Sequence, residues 1–149
     1  MNKKYLDLAF FYANCAFEND EVPIGAVIVK NDEIISYGYN LKEKSNCSLE
    51  HAELIAIRKA QEKLNNWRLN ECDIYVTLDP CPMCASAIKQ ARIKNVYSAL
   101  KNSDINNFEL INKIFEHDMV NPGVNFVTDL ECDKSKKILN MFFNKQRNK

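Results

Sequence analysis

The sequence predicts an α/β fold: a three-layer α/β/α sandwich in which one mixed sheet of about five strands lies between layers of helices. Two observations predict it. Short β-branched runs bounded by turn residues alternate along the chain with segments whose apolar residues recur every three or four positions. The length of 149 residues suits one hydrophobic core, so residues 1–149 read as a single domain.

Each element follows from its local pattern. Tyr5, Leu8, Ala9, Tyr12, Ala13 and Ala16 mark one helix face, which ends before Asn19-Asp20-Glu21. Ile24–Val29 is a β-branched run, and Glu33–Tyr39 follows it across the turn Lys30-Asn31-Asp32, so the pair reads as a hairpin. A polar loop from Asn40 to Ser48 leads into a helix over Glu50–Leu64, with Leu54, Ile57, Ala60, Gln61 and Leu64 on its buried side. Asp73–Leu78 has the composition of a central strand. Pro80 and Pro82 frame a new helix running through Arg92, because proline suits a first helical turn. Asn95–Ala99 is a fourth strand, Phe108–Phe115 a short helix and Val124–Val127 a short strand. Cys132–Phe143 closes the chain as a helix with Ile138, Leu139, Phe142 and Phe143 as its apolar stripe.

Composition narrows the function classes. With 46% hydrophobic and 27% charged residues the chain has the balance of a globular protein rather than a disordered one. Its formal net charge is zero, so no global basic field advertises a nucleic acid. Locally, Lys134, Lys136, Lys137, Lys145, Arg147 and Lys149 fall in a stretch without acids. That stretch reads either as a phosphate-attracting tail or as the solvated end of a terminal helix. No apolar run approaches a membrane span and no signal peptide is evident. Six cysteines are too few for a disulfide scaffold, and two of them lie at C-x-x-C spacing. A reducing compartment, the cytoplasm by default, is the expectation.

Two segments carry the chemistry. His51-Ala52-Glu53 opens one predicted helix, and Pro80-Cys81-Pro82-Met83-Cys84 opens the next. Imidazole and two thiolates suit Zn²⁺, and C-x-x-C brings two sulfurs to one ion from a single turn. A helix N-terminus also favours thiolate. Three protein ligands leave a fourth position for water, which marks a catalytic ion and lowers the pKa of that water. Glu53 lies two residues from His51, off its helix face, and suits a proton carrier better than a fourth ligand. Two other readings stand beside this one. A bare C-x-x-C can be a redox pair, although H-x-E has no use there. A closed structural zinc site needs a fourth donor from Cys15, Cys47, Cys72, Cys132 or His117, and Cys47, four residues before His51, is the serious rival. Otherwise these four cysteines read as small buried or half-buried hydrophobes.

The pattern H-x-E followed by P-C-x-x-C resembles the zinc-dependent cytidine and deoxycytidylate deaminase superfamily, whose mechanism is established. Within it the bacterial tRNA-specific adenosine deaminases are most similar. The shared stretches are Glu21–Val27, Gly38-Tyr39-Asn40, His51–Leu54, Trp67-Arg68-Leu69 and Tyr75–Ala85. The resemblance implies a cytidine deaminase-like fold, one Zn²⁺ per chain on His51, Cys81 and Cys84, and Glu53 protonating first a ring nitrogen and then the departing ammonia. It implies that the Ala52 N–H and Pro80 carbonyl contact a flipped base and that Asn40 hydrogen-bonds the nucleotide. Trp67 is read as a core residue and hydrogen-bond anchor. A homodimer is implied as well.

Substrate is less tightly specified. Cys47-Ser48-Leu49-Glu50 departs from the family's usual wording before the metal histidine. In Ser98–Asn107, Lys101 stands near the place of a usual acid and no glycine occurs. Three functions stay open: adenosine-to-inosine deamination in a tRNA anticodon stem-loop, deamination of a free base or nucleoside of guanine or cytosine type, and a non-catalytic zinc-stabilised RNA-binding subunit.

Overall fold

In the computed structural model, which describes residues 1–149, the elements run α1 (Lys3–Glu18), β1 (Gly25–Lys30), β2 (Glu33–Tyr39), α2 (Lys42–Ser45), α3 (Ala52–Leu64), β3 (Cys72–Val76), α4 (Pro82–Gln90), β4 (Asn95–Ser98), α5 (Ile105–Phe115), β5 (Asn125–Val127) and α6 (Cys132–Arg147). The sheet order is β2-β1-β3-β4-β5. β1 runs antiparallel to both β2 and β3, whereas β3, β4 and β5 are parallel. The expected mixed five-stranded sheet is therefore present.

The hairpin turn uses its residue types directly. Asn31 and Asp32 both take left-handed backbone, with φ of 51° and 59°, so Lys30 pairs with Glu33 across two residues. Asn and Asp tolerate that region, and its twist matches the flanking strands. Alternation along the strands then separates two cores. Ala26, Ile28, Ile74, Val76 and Val96 pack in one cluster with Ala52 and Ala56 of α3, Ile88 of α4 and Ile111 of α5. Val27, Val29 and Tyr75 face the opposite way, onto Leu6, Ala9 and Phe10 of α1. α6 lies on that second side, where the Ser135 hydroxyl donates to the Thr77 carbonyl at 2.6 Å and Phe142 meets Phe17 edge-on. Helices thus cover both faces, as a three-layer sandwich requires.

Two glycines set how closely the helices approach. A Cβ on Gly25 would lie 2.0 Å from the Ala9 carbonyl, and one on Gly38 would lie 2.3 Å from the Ala52 carbonyl. The second contact lays β2 directly against the first turn of α3, where the metal motif begins.

Several expectations needed correction. The loop from Asn40 to Ser48 contains α2, whose Leu41 N-cap makes no side-chain bond; the buried Glu21 carboxylate supplies the acceptors instead, from the N–H groups of Glu43 at 2.9 Å and Lys44 at 2.7 Å. Such a distant cap leaves no local mark. α4 stops at Gln90 because Arg92 turns left-handed, with φ of 67°. α5 starts three residues earlier than expected, where the Asp104 side chain accepts from the Asn106 N–H as an N-cap. On α3 the buried set is Ala52, Glu53, Ile55, Ala56, Ile57 and Ala60, while Leu54 and Gln61 are half-buried. Trp67 is not core: it is 49% exposed, with the Arg68 and Arg92 guanidinium groups over its ring, and only its carbonyl acts as an anchor, accepting from Gln61. The basic tail is partly neutralised, since Lys134 pairs with Asp7, and Lys145 and Lys149 with Asp20. No helix is long and apolar enough to cross a membrane.

Candidate active site

Two helix N-termini build the site. His51 is the N-cap of α3 and Cys81 the N-cap of α4; both have extended backbone and neither side chain caps its own helix. Their side chains are free to turn toward each other. His51 and Cys81 are half-buried and Cys84 is buried, and their ligand atoms lie within 4.8 Å of one another. The His51 Nδ1 stands 3.5 Å from the Cys84 sulfur and 3.8 Å from the Cys81 sulfur. A tetrahedral ion with Zn–S near 2.3 Å and Zn–N near 2.0 Å holds such donors roughly 3.5–3.8 Å apart. The donor set and its spacing both fit zinc.

No further His, Cys, Asp or Glu joins the group, so the rival fourth ligand Cys47 stays outside it. Cys15, Cys47 and Cys132 are half-buried and Cys72 is buried, as small hydrophobes would be.

The electrostatics favour an anionic sulfur here. The Cys81 thiol is lowered to about 5, first by the Cys84 S–H donating to it, then by the Cys84 and Met83 backbone N–H groups and by His51. Cys84 is raised correspondingly, because it keeps the shared proton and is buried beside Glu53. An ion between the sulfurs would replace that proton. Glu53, 4% exposed in the first turn of α3, is pushed up to about 7, chiefly by burial and further by the Cys81 thiolate; its own backbone N–H and the Cys84 thiol oppose the shift. A carboxyl poised near neutrality suits an acid–base role.

The remaining candidates also come together. Asn40 Oδ1 accepts from the Ala52 N–H at 2.9 Å, so the N–H expected to contact a flipped base is already taken within the chain; the bond fixes the amide orientation and leaves Nδ2 as the free donor. Pro80 is buried, and its carbonyl accepts no hydrogen bond from the chain. Asn40 and His51 line a cavity of about 410 Å³ together with Glu21, Val22, Phe142 and Gln146. The sequence reading passed over Glu21 and α6 as parts of this mouth. Glu21 lies in the shared stretch Glu21–Val27, and its burial is the signal that only the fold reveals.

The MafB19-like deaminase profile matches residues 1–147. The chain belongs to the MafB19-like deaminases. A tRNA-specific adenosine deaminase of Aquifex aeolicus is 39% identical over 153 aligned positions, covering 99% of this deaminase and 98% of its relative. That of Streptococcus pyogenes serotype M1 is 34% identical, covering 96% and 84%. Among solved structures, one from work on A-to-I editing by tRNA:A34 deaminases at the wobble position superimposes with a TM-score of 0.82 at 34% identity, covering 93% of this deaminase and 100% of that chain. A guanine deaminase from Bacillus subtilis superimposes with a TM-score of 0.66 at 38% identity, covering 74% and 71%.

Proposed function

We propose that this deaminase converts adenosine to inosine in a tRNA anticodon loop, with one zinc ion held by His51, Cys81 and Cys84 and proton transfers made by Glu53. The observation that carries the reading is the convergence of the three donors beside a buried Glu53 whose carboxyl is raised to about 7. A zinc ion bound by His51, Cys81 and Cys84 would supply an acidified water for attack on the carbon bearing the exocyclic amine. Glu53 takes a proton from the attacking water and delivers it to the adjacent ring nitrogen. It then takes the remaining proton of the added hydroxyl and passes it to the exocyclic amine, so that the C–N bond breaks, ammonia leaves and the carbonyl forms. The Asn40 Nδ2 and the Pro80 carbonyl orient the nucleotide and base, and burial of Glu53 keeps bulk water from its carboxyl.

Full-length similarity to tRNA adenosine deaminases, α6 included, favours RNA over a free base. The likeness to the Bacillus subtilis guanine deaminase covers 74% of the chain, against 99% for the Aquifex aeolicus tRNA-specific adenosine deaminase. A retained proton carrier also speaks against a non-catalytic scaffold. Pairing of two copies near the metal-bearing helices and a cytoplasmic location belong to the same proposal, and the exposed Leu49 beside His51 offers such pairing an apolar contact.

The test incubates zinc-replete protein with a tRNA anticodon stem-loop and, in parallel, with guanine, cytosine and adenosine. Inosine in the stem-loop with little ammonia from the free substrates supports the reading. Ammonia from guanine alone replaces it with the free-base function, and neither product in the presence of one bound zinc points to the scaffold.

A further inference from the structure

Asp79 is 4% exposed and lies two residues before Cys81. Its N–H donates to the Leu100 carbonyl at 2.9 Å. Its Oδ2 accepts from the Asn102 N–H at 3.2 Å and its Oδ1 from the Thr128 hydroxyl at 2.5 Å. One buried carboxylate therefore fastens three chain segments at the same end of the parallel strands: the metal loop after β3, the loop after β4 and the link after β5. Neighbouring bonds complete the knot. The Lys101 N–H donates to Asp129 Oδ1 at 2.7 Å, and the Leu130 N–H to the Ser98 carbonyl at 3.2 Å.

These fastened residues form a wall. Leu78, Leu100, Lys101 and Asn102 line a cavity of about 770 Å³ closed on its other side by Lys136 and Phe143 of α6. Val22 lines both this cavity and the smaller one at Asn40 and His51, so the two spaces adjoin around it. A free base has no atoms to fill the second space. A strand carrying a nucleotide beside the target does, and its phosphate would find Lys101 and Lys136, which line this space along with Asp129.

We propose that Asp79 is a positioning residue that fixes this wall and so makes the site selective for a polynucleotide over a free nucleoside; the inference rests on the deaminase function proposed above. The effect runs through both accepted bonds, because the loop after β4 and the link after β5 together set the width of the second cavity.

Asp79→Leu, close to the same shape, removes both acceptors, that of the Asn102 N–H and that of the Thr128 hydroxyl. Thr128→Val removes the hydroxyl donor and leaves Asp79 itself intact. With an anticodon stem-loop as substrate, both variants are expected to raise KM at least about tenfold, the scale of one lost charge-assisted hydrogen bond, while kcat stays near wild type. Zinc content is expected to be unchanged, ammonia release from free adenosine to stay at its low wild-type level, and amide exchange to quicken only in residues 100–104 and 128–131. An unchanged stem-loop KM in both variants overturns the proposal, as does loss of zinc with a matching fall in kcat, which would place Asp79 in support of the metal instead. A wild-type protein inactive on the stem-loop shows up in its own arm and overturns the functional reading along with the selectivity built on it.

Discussion

Asn40 and Ala52 are bonded to each other: Asn40 Oδ1 accepts the Ala52 N–H at 2.9 Å, twelve residues along the chain. Ala52 opens α3, whose N-cap His51 is turned toward the cysteines and cannot serve its own helix. Asn40 therefore satisfies an N–H that His51 leaves orphaned. Asn40→Asp keeps that acceptor and loses the Nδ2 donor, so it is expected to hold its thermal midpoint while KM for RNA rises. Asn40→Ala loses both and is expected to cost about 1 kcal/mol of stability as well, the scale of a removed helix cap. Paired unfolding and kinetic measurements on the two variants separate the roles.

Glu53 is a buried acid in the first turn of α3, where the free N–H groups favour a carboxylate but burial outweighs them. Glu53→Gln removes the proton carrier and the desolvation of a carboxylate together. Turnover is expected to fall by at least ~10²–10⁴. Zinc content should stay at one per chain, and the thermal midpoint should hold or rise. Metal analysis alongside inosine formation reads both effects, and near-normal turnover would refute the assignment of Glu53.

Lys101 is half-buried, with its ammonium 3.7 Å from the Phe108 ring centroid and its backbone tied to Asp129. If it neutralises one phosphate, Lys101→Gln is expected to lower the slope of log affinity against log salt by ~0.7, the single-strand value per contact. Activity on free adenosine should not move. Stem-loop binding at several salt concentrations measures the slope, and an unaltered slope removes Lys101 from the RNA interface.

Asp118 contributes a pH dependence away from the site. The Val120 and Asn121 backbone N–H groups, with Lys89 at 3.0 Å, hold its carboxyl below the usual carboxylate range. A depressed carboxyl stabilises the fold above its unfolded pKa, near 4, and loses that contribution as pH falls through the folded value. Wild type should therefore exceed Asp118→Asn in urea midpoint at pH 6, and the gap should narrow by pH 3. A gap that stays constant across that range would show that Asp118 acts through its backbone turn alone.

The sequence by itself determined the strands, the hairpin and the two motifs that hold the candidate donors and the proposed proton carrier. Each of these is written within a few neighbouring residues, as alternation, as Asn31-Asp32, or as Cys81 and Cys84 one turn apart. Tertiary structure decided what depends on partners far along the chain. The sheet order sets His51 3.8 Å from Cys81 across thirty residues and leaves Cys47 outside. Glu21 caps α2 from twenty-two residues away, Asp79 gathers two loops, and Trp67 ends on the surface instead of in the core. A short-range pattern reflects steric and hydrogen-bonding preferences that act before the chain has folded. A buried acceptor's choice of donor is fixed only when packed strands bring both together and exclude the water that either would otherwise prefer.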